Sequence, residues 1–175
     1  MICPGDIFLS KPVMGFRLVQ EAICWWTDSG YSHAEIAIDN LGNSIDFRWP
    51  TTASSNVLRY FDGKHRVLIL RPVFTFDPRI LERSLTSKLG AKYALREYLG
   101  FVTNKRIADS GQWHCGSGNL AAYQDAGGLV MADRFFVTPQ TFVRYAEAGA
   151  FEVVARLFGP DPADFKGMVE RTNER

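Results

Sequence analysis

The chain has 175 residues, a formal net charge of +1, 46% hydrophobic content and 13% aromatic content. That suits one domain with its own core, residues 1–175, and excludes a disordered chain. Basic residues are scattered rather than clustered, so nucleic acid and anionic membrane surfaces are not expected partners.

Three cysteines, Cys3, Cys24 and Cys115, are too few and too widely spaced for a disulfide framework, which suggests a reducing compartment. There is no Cys-x-x-Cys pair, and His33, His65 and His114 show no ligand spacing, so neither a metal nor another cofactor is expected. Met1-Ile2-Cys3-Pro4-Gly5-Asp6 lacks the basic and apolar regions of a secretory signal, and no apolar run is long enough to span a bilayer. The expectation is a cytoplasmic protein without a transmembrane segment. If its target lies outside the cell, it would be phage-associated or delivered by another route.

In chain order, the turn Pro4-Gly5-Asp6 precedes a short strand, Ile7-Phe8-Leu9. Residues 17–26 carry a wide apolar face at helical spacing, with Leu18, Ala22 and Trp25 flanked by Val19, Ile23 and Trp26. The two tryptophans suit either core packing or the lining of a groove. Thr27-Asp28-Ser29-Gly30 ends that helix. Residues 31–38 alternate as a strand, with His33, Glu35 and Ala37 on one face. Asp39-Asn40-Leu41-Gly42 turns the chain into a returning strand over 43–49. If Ile38 pairs with Asn43, Glu35 lies opposite Asp46 and His33 lies diagonal to Asp46 on the same face. A slip of one residue would send Asp46 to the other face.

Residues 50–56 read as a polar connector, 57–61 as a short strand, and 67–70 as a buried strand ended by Arg71-Pro72, with His65 on a solvated turn. Asp77-Pro78 opens a helix reaching about Leu89 and stopped by Gly90. A second, aromatic-rich helical stretch covers 91–102, and a polar loop covers 103–111. Residues 112–123, Gln112-Trp113-His114-Cys115-Gly116-Ser117-Gly118-Asn119-Leu120-Ala121-Ala122-Tyr123, read as a loop entering a helix that Gly127-Gly128 ends. After a connector over 133–137, Thr138-Pro139 starts a helix ended by Gly149, then comes a strand over 151–157 and a polar tail over 159–175.

A cysteine at a helix N-terminus sits beside unpaired N–H groups and the positive end of the dipole, both of which favour thiolate. The same N–H groups can hold an oxyanion. Cys115 therefore suits a nucleophile, although a cysteine also serves as a small buried hydrophobe. His33 on a face with Glu35 and Asp46 suits a base oriented by an acid, and either carboxylate can be that third group. The same residues also suit a structural histidine and face charges paired with Arg48. Tyr31 and Ser117 are accessory candidates. Ser117 lacks the Gly-x-Ser-x-Gly elbow of a serine nucleophile.

These residues resemble the circularly permuted branch of the NlpC-type papain-like cysteine peptidases, whose members include YiiX-like proteins and, more distantly, lecithin:retinol acyltransferase. The likeness runs from Gly5 to about Phe142. It rests on Gly5-Asp6-Ile7-Phe8-Leu9, on Ser32-His33 with Asp46 in the next strand, and on the strand ending in Arg71. It rests further on Gly90, Tyr93 and Gly100, on Trp113-His114-Cys115, on Ala126-Gly127, and on Thr138-Pro139. Histidine precedes cysteine, as permutation requires. The resemblance implies an α+β, permuted papain-like fold: a small antiparallel sheet packed against helices, with the nucleophile at a helix N-terminus. It implies Cys115 as nucleophile, His33 as base and Asp46 as orienting residue. The implied activity is a cysteine-dependent amide hydrolase, an amidase or peptidase working through an acyl-enzyme on cell-wall peptides, peptidoglycan-derived. The distant relatives suggest a lipid or acyl thioesterase or acyltransferase instead. Gly116-Ser117-Gly118 departs from the family's usual Ser-Glu-apolar run. Glycine costs a helix up to about 1 kcal/mol relative to alanine, so a looser first turn is expected, and with it a wider site or a catalytically silent binding module.

Overall fold

The computed structural model describes residues 1–13, 18–97, 111–128 and 137–157. Six strands form one antiparallel sheet: β1 (Ile7–Pro12), β2 (His33–Ala37), β3 (Asn43–Asp46), β4 (Ala53–Asn56), β5 (His65–Pro72) and β6 (Phe151–Leu157). Their spatial order is β4-β3-β2-β1-β5-β6. Among the described residues, helices α1 (Leu18–Trp26), α2 (Pro78–Thr86), α3 (Cys115–Asp125) and α4 (Pro139–Glu147) accompany them, and residues 95–97, within the second helical stretch expected, are helical as well. The fold is α+β. Among the described residues, no helix is long and apolar enough to cross a membrane.

Alternation along the strands sorts the core into two layers. One face carries Ile7, Leu9, Ala34, Ile36, Ile45, Leu68 and Leu70 against Leu120 and Tyr123 of α3, Leu81 and Leu85 of α2, and Phe142 of α4. The other carries Phe8, Ala37, Val67 and Ile69 under Val57 and Tyr60. Buried side chains of the first layer exclude water from the back of α3, which is what holds its N-terminus in place. Two polar ties add direction. The Tyr123 hydroxyl donates to the Gly5 carbonyl at 2.6 Å, and Arg71 grips Asp6 with Nε–Oδ1 and Nη2–Oδ2 both at 2.8 Å. The Gly5-Asp6 turn and the arginine ending β5 are thus one feature, joining β1 and β5 to α3.

The expected pairing of β2 with β3 is present: Ile38 N–H donates to the Asn43 carbonyl, and Ile36↔Ile45 and Ala37↔Ser44 are partners. Several local expectations need correction. Residues 53–56 are not connector but the edge strand β4, paired from Asn43↔Asn56 to Asp46↔Ala53. Residues 57–61 are not a strand. Asn56 accepts a hydrogen bond from Leu58 N–H and starts a 3₁₀ turn, Val57–Phe61. His65 is half-buried at the head of β5 rather than solvated. Asp77 caps α2 through Arg79 N–H and Ile80 N–H, but the helix ends at Thr86. Lys92 and Tyr93 form bridges to Thr51 and Trp113 rather than opening a helix. Residues 98–110, 129–136 and 158–175, with the loop, connector and tail expected there, lie outside the described residues, as do residues 14–17 and the side chains of Leu18, Val19 and Trp26. Trp25 is 80% exposed, so it packs in no core.

Candidate active site

α3 begins at Cys115 because the residue before it supplies the cap. His114 has extended backbone (φ −111°, ψ 171°), and its Nδ1 accepts from Gly116 N–H at 3.0 Å and Ser117 N–H at 3.4 Å. Ser117 Oγ accepts in return from His114 N–H at 3.2 Å, a reciprocal capping arrangement with imidazole in the place usually held by a hydroxyl or carboxylate. Asn119 fixes the first turn to the sheet, donating from Nδ2 to the Cys115 carbonyl at 2.7 Å and the Ala34 carbonyl at 2.9 Å.

The glycines of this turn have a steric reason. A Cβ on Gly116 would lie 1.9 Å from the Val137 carbonyl oxygen, and one on Gly118 would lie 2.5 Å from the Phe47 ring. Both are buried. The expected looseness is replaced by close approach: backbone and an aromatic ring occupy the space a side chain would need.

His33 is the first residue of β2, so its ring stands at the end of the sheet. Nε2 lies 2.9 Å from Asp46 Oδ1, and the ring stands near enough to Cys115 for each to act on the other's charge. Of the two carboxylate candidates, Asp46 is the one that meets the imidazole. Glu35 is fully buried and turned to other partners: Ser44 Oγ donates to Oε1, and Arg59 Nη2 and the Tyr60 hydroxyl donate to Oε2 at 2.6 and 2.7 Å. Tyr31 is a buried core residue, and Ser117 serves the cap.

The charges follow from these contacts. Burial opposes the Cys115 thiolate, but the His114 and His33 imidazoles beside it outweigh that and lower its pKa to about 5. Burial likewise opposes charge on His33. Tyr60, Asp46 and Cys115 outweigh it, and its pKa stands well above the ordinary value. Asp46 resists burial through His33 and Arg59 and falls to about 2. His114 is pulled in two directions. Against burial, Cys115 and Glu97, whose Oε2 lies 3.0 Å from Nε2, push its pKa upward, and the cap opposes them. A proton on Nδ1 would face two backbone N–H donors, so the cap geometry favours the neutral ring with its proton toward Glu97. His33 is then the ring that can carry the charge opposite the thiolate.

Four participants were not legible as site residues: Arg59, Tyr60, Glu97 and Asn119. Among the described residues the Cys115 N–H has no hydrogen-bond partner, whereas the Gly116 and Ser117 N–H groups are taken by His114. Oxyanion binding by the whole first turn is therefore not available. The Cys115 N–H is the free donor.

A cleft of about 770 Å³ opens beside His33 and Asp46. Pro12, Ala22, Ile23, Phe47, Trp49 and Leu95 line it with Arg48, Arg59 and Tyr60, so its wall is largely apolar with a basic rim. Cys115 is 1% exposed and is reached only when neighbouring groups give way. The side chains of His33, Glu35 and Asp46 also place one ligand atom each within 4.8 Å of one another, the spacing a bound cation needs.

No known protein-family model matches the chain, and no curated protein sequence does. Among solved structures it is similar to the metalloprotein YiiX from Escherichia coli O157:H7, with a TM-score of 0.63, 15% identity, and coverage of 90% of this chain and 98% of that one. The likeness at that identity concerns the fold, which is YiiX-like.

Proposed function

We propose that this chain is a cysteine-dependent amide hydrolase of the permuted papain-like class, working through Cys115, His33 and Asp46. The observation that carries the reading is the His33 ring between Asp46 and a cysteine that opens a helix. In the first step the Cys115 sulfur forms a bond to the substrate carbonyl carbon, and the carbonyl electrons move onto oxygen beside the Cys115 N–H. His33 gives its proton to the amide nitrogen as the C–N bond breaks. An acyl-thioester remains. His33, now neutral, takes a proton from water as the water attacks that carbon, and the C–S bond breaks to restore the thiolate and the charged ring. Asp46 holds the imidazole orientation throughout. By the family resemblance, cell-wall peptides are the first substrates to try.

A second reading is favoured by the apolar wall of the cleft: the same chemistry on an acyl ester or thioester. Both are tested by incubating the protein with wall-peptide amides and with acyl esters and thioesters, reading product release and the mass of an acyl adduct on Cys115. Turnover that Cys115→Ala abolishes supports cysteine chemistry, and the preferred panel separates amide from ester. Activity unchanged in Cys115→Ala overturns both, and an effect on partners without turnover points to a binding module.

YiiX is a metalloprotein, which raises the question of whether the His33, Glu35 and Asp46 donors suit a metal. They do not. Glu35 Oε2 and Asp46 Oδ2 are already held by Arg59 Nη2 at 2.6 and 2.9 Å, and Glu35 Oε1 by Ser44. A cation would find His33 Nε2 and Asp46 Oδ1 alone, against a fixed positive charge.

A further inference from the structure

Glu35 and Asp46 face each other across β2 and β3, and both are at least 98% buried, with relative exposures of 0% and 2%. Two buried acids at this distance need a counter-charge. Every positive group in reach bears on how that need is met. His33 of β2 contacts Asp46 Oδ1, Arg48 Nε lies 3.8 Å from Oδ2 with most of its side chain exposed, and Arg59 rises from the 3₁₀ turn. One nitrogen, Arg59 Nη2, lies 2.6, 2.9 and 2.8 Å from Glu35 Oε2, Asp46 Oδ2 and the Tyr60 oxygen and shares its two N–H groups among them, while Nη1 donates to Ser55 Oγ on β4 at 2.6 Å. That single nitrogen stands among donor atoms already spaced for a metal ion.

We propose that Arg59 is the resident cation of this site: a positioning residue that holds Asp46 toward His33 and fills the place a divalent ion would otherwise take. The guanidinium suits the task because its planar, fixed donors reach several acceptors at once, where an ammonium would be a point charge. Its anchorage to Ser55 ties the site to β4, so the short edge strand and the turn after it have a role in aligning Asp46. The proposal extends the cysteine reading without depending on it, because neither readout below uses turnover.

The test uses the whole protein, stripped with EDTA and titrated with Mn²⁺ followed by electron paramagnetic resonance. Mn²⁺ favours carboxylate and imidazole over thiolate, so Cys115 does not compete. Wild type is expected to show no stoichiometric site. Arg59→Gln is expected to bind one equivalent at least about tenfold more tightly than wild type, and adding Asp46→Asn is expected to abolish the gain. Wild-type binding that Asp46→Asn removes, or a folded Arg59→Gln that binds no more tightly than wild type, overturns the proposal. Should Arg59→Gln fail to fold, Glu35→Gln/Arg59→Gln removes one acid with one base. Carbon-13 resonances of the Asp46 carboxyl should then titrate about one pH unit higher than in wild type. An unchanged Asp46 midpoint overturns the positioning role.

Discussion

The reactivity of Cys115 as a function of pH isolates the feature on which the site depends. Cys115 is 1% exposed, so its absolute rate with any reagent is scaled down by poor access. That factor is similar at every pH, whereas the thiolate fraction is not. An ordinary thiol with a pKa of 9.0 reacts about 90-fold faster at pH 8 than at pH 6, because its ionised fraction climbs almost tenfold per unit. With a pKa of about 5, Cys115 is ionised at both values, and the ratio falls to about 1.1. Removing His33 takes away an opposite charge, an effect of about one to three units, so the ratio in His33→Ala should rise to between about 2 and about 50. It should not reach the ordinary value, because Cys115 still opens α3, where the helix terminus favours thiolate. Iodoacetamide labelling with peptide mass mapping separates Cys115 from Cys3 and Cys24, and Cys24, whose burial raises its pKa, is an internal control for the steep profile. A wild-type ratio near 90 at Cys115 refutes the activated nucleophile. An unchanged ratio in His33→Ala refutes the dyad while leaving the helix terminus as the cause.

Two further outcomes follow from packing and linkage. Gly116→Ala should destabilise the protein by at least about 2 kcal/mol in urea unfolding, because the new methyl meets the Val137 backbone, while Gly118→Ala should cost less because a ring can turn aside; stabilisation of about 1 kcal/mol by Gly116→Ala, as helix propensity alone predicts, would show that the turn is loose. Asp46 has its pKa lowered from 3.8 to about 2, so its contribution is complete above the unfolded value and is lost as pH falls through the folded one. Wild type should therefore lose about 2 kcal/mol between pH 4 and pH 2 that Asp46→Asn does not lose, and parallel profiles would sink that assignment.

The β2–β3 hairpin was legible because the short Asp39–Gly42 turn lets Ile38 pair with Asn43, and that register puts Ile36 opposite Ile45 on the helix side. That choice placed His33 and Asp46 together. What was not legible follows from the same physics. Ala53-Ser54-Ser55-Asn56 has no apolar alternation, since an edge strand with a polar face is defined by its partner rather than by its own pattern. Val57-Leu58-Arg59-Tyr60-Phe61 has strand composition, but Asn56 turns it into a 3₁₀ helix, and only that turn brings Arg59 and Tyr60 over Glu35. His114 stands in the sequence as part of Trp113-His114-Cys115 and without metal-ligand spacing. Its position before Cys115, with Ser117 at the third helical residue, was a capping signature available from the sequence. Glu97 carried no signal of its own, because its relation to His114 exists only in the folded chain.

The two histidines divide a task that the sequence reading assigned to one terminus. A helix N-terminus that kept all its N–H groups free would bind an anion in any orientation. His114 removes two of them, at Gly116 and Ser117, and leaves the N–H of Cys115 itself. The glycines permit this by letting the Val137 carbonyl approach where side chains would stand, so the first turn is crowded rather than open. Charge stabilisation of the thiolate then falls to His33, whose position depends on Asp46, whose position depends on Arg59. His33 and Asp46 are buried or half-buried, and the more exposed Arg59 is fixed by several contacts, which is the condition for electrostatic preorganisation. A cysteine held only for packing would not require such an arrangement: Ala at residue 115 would fill the same space without a charged ring, a buried acid and a bridging guanidinium beside it.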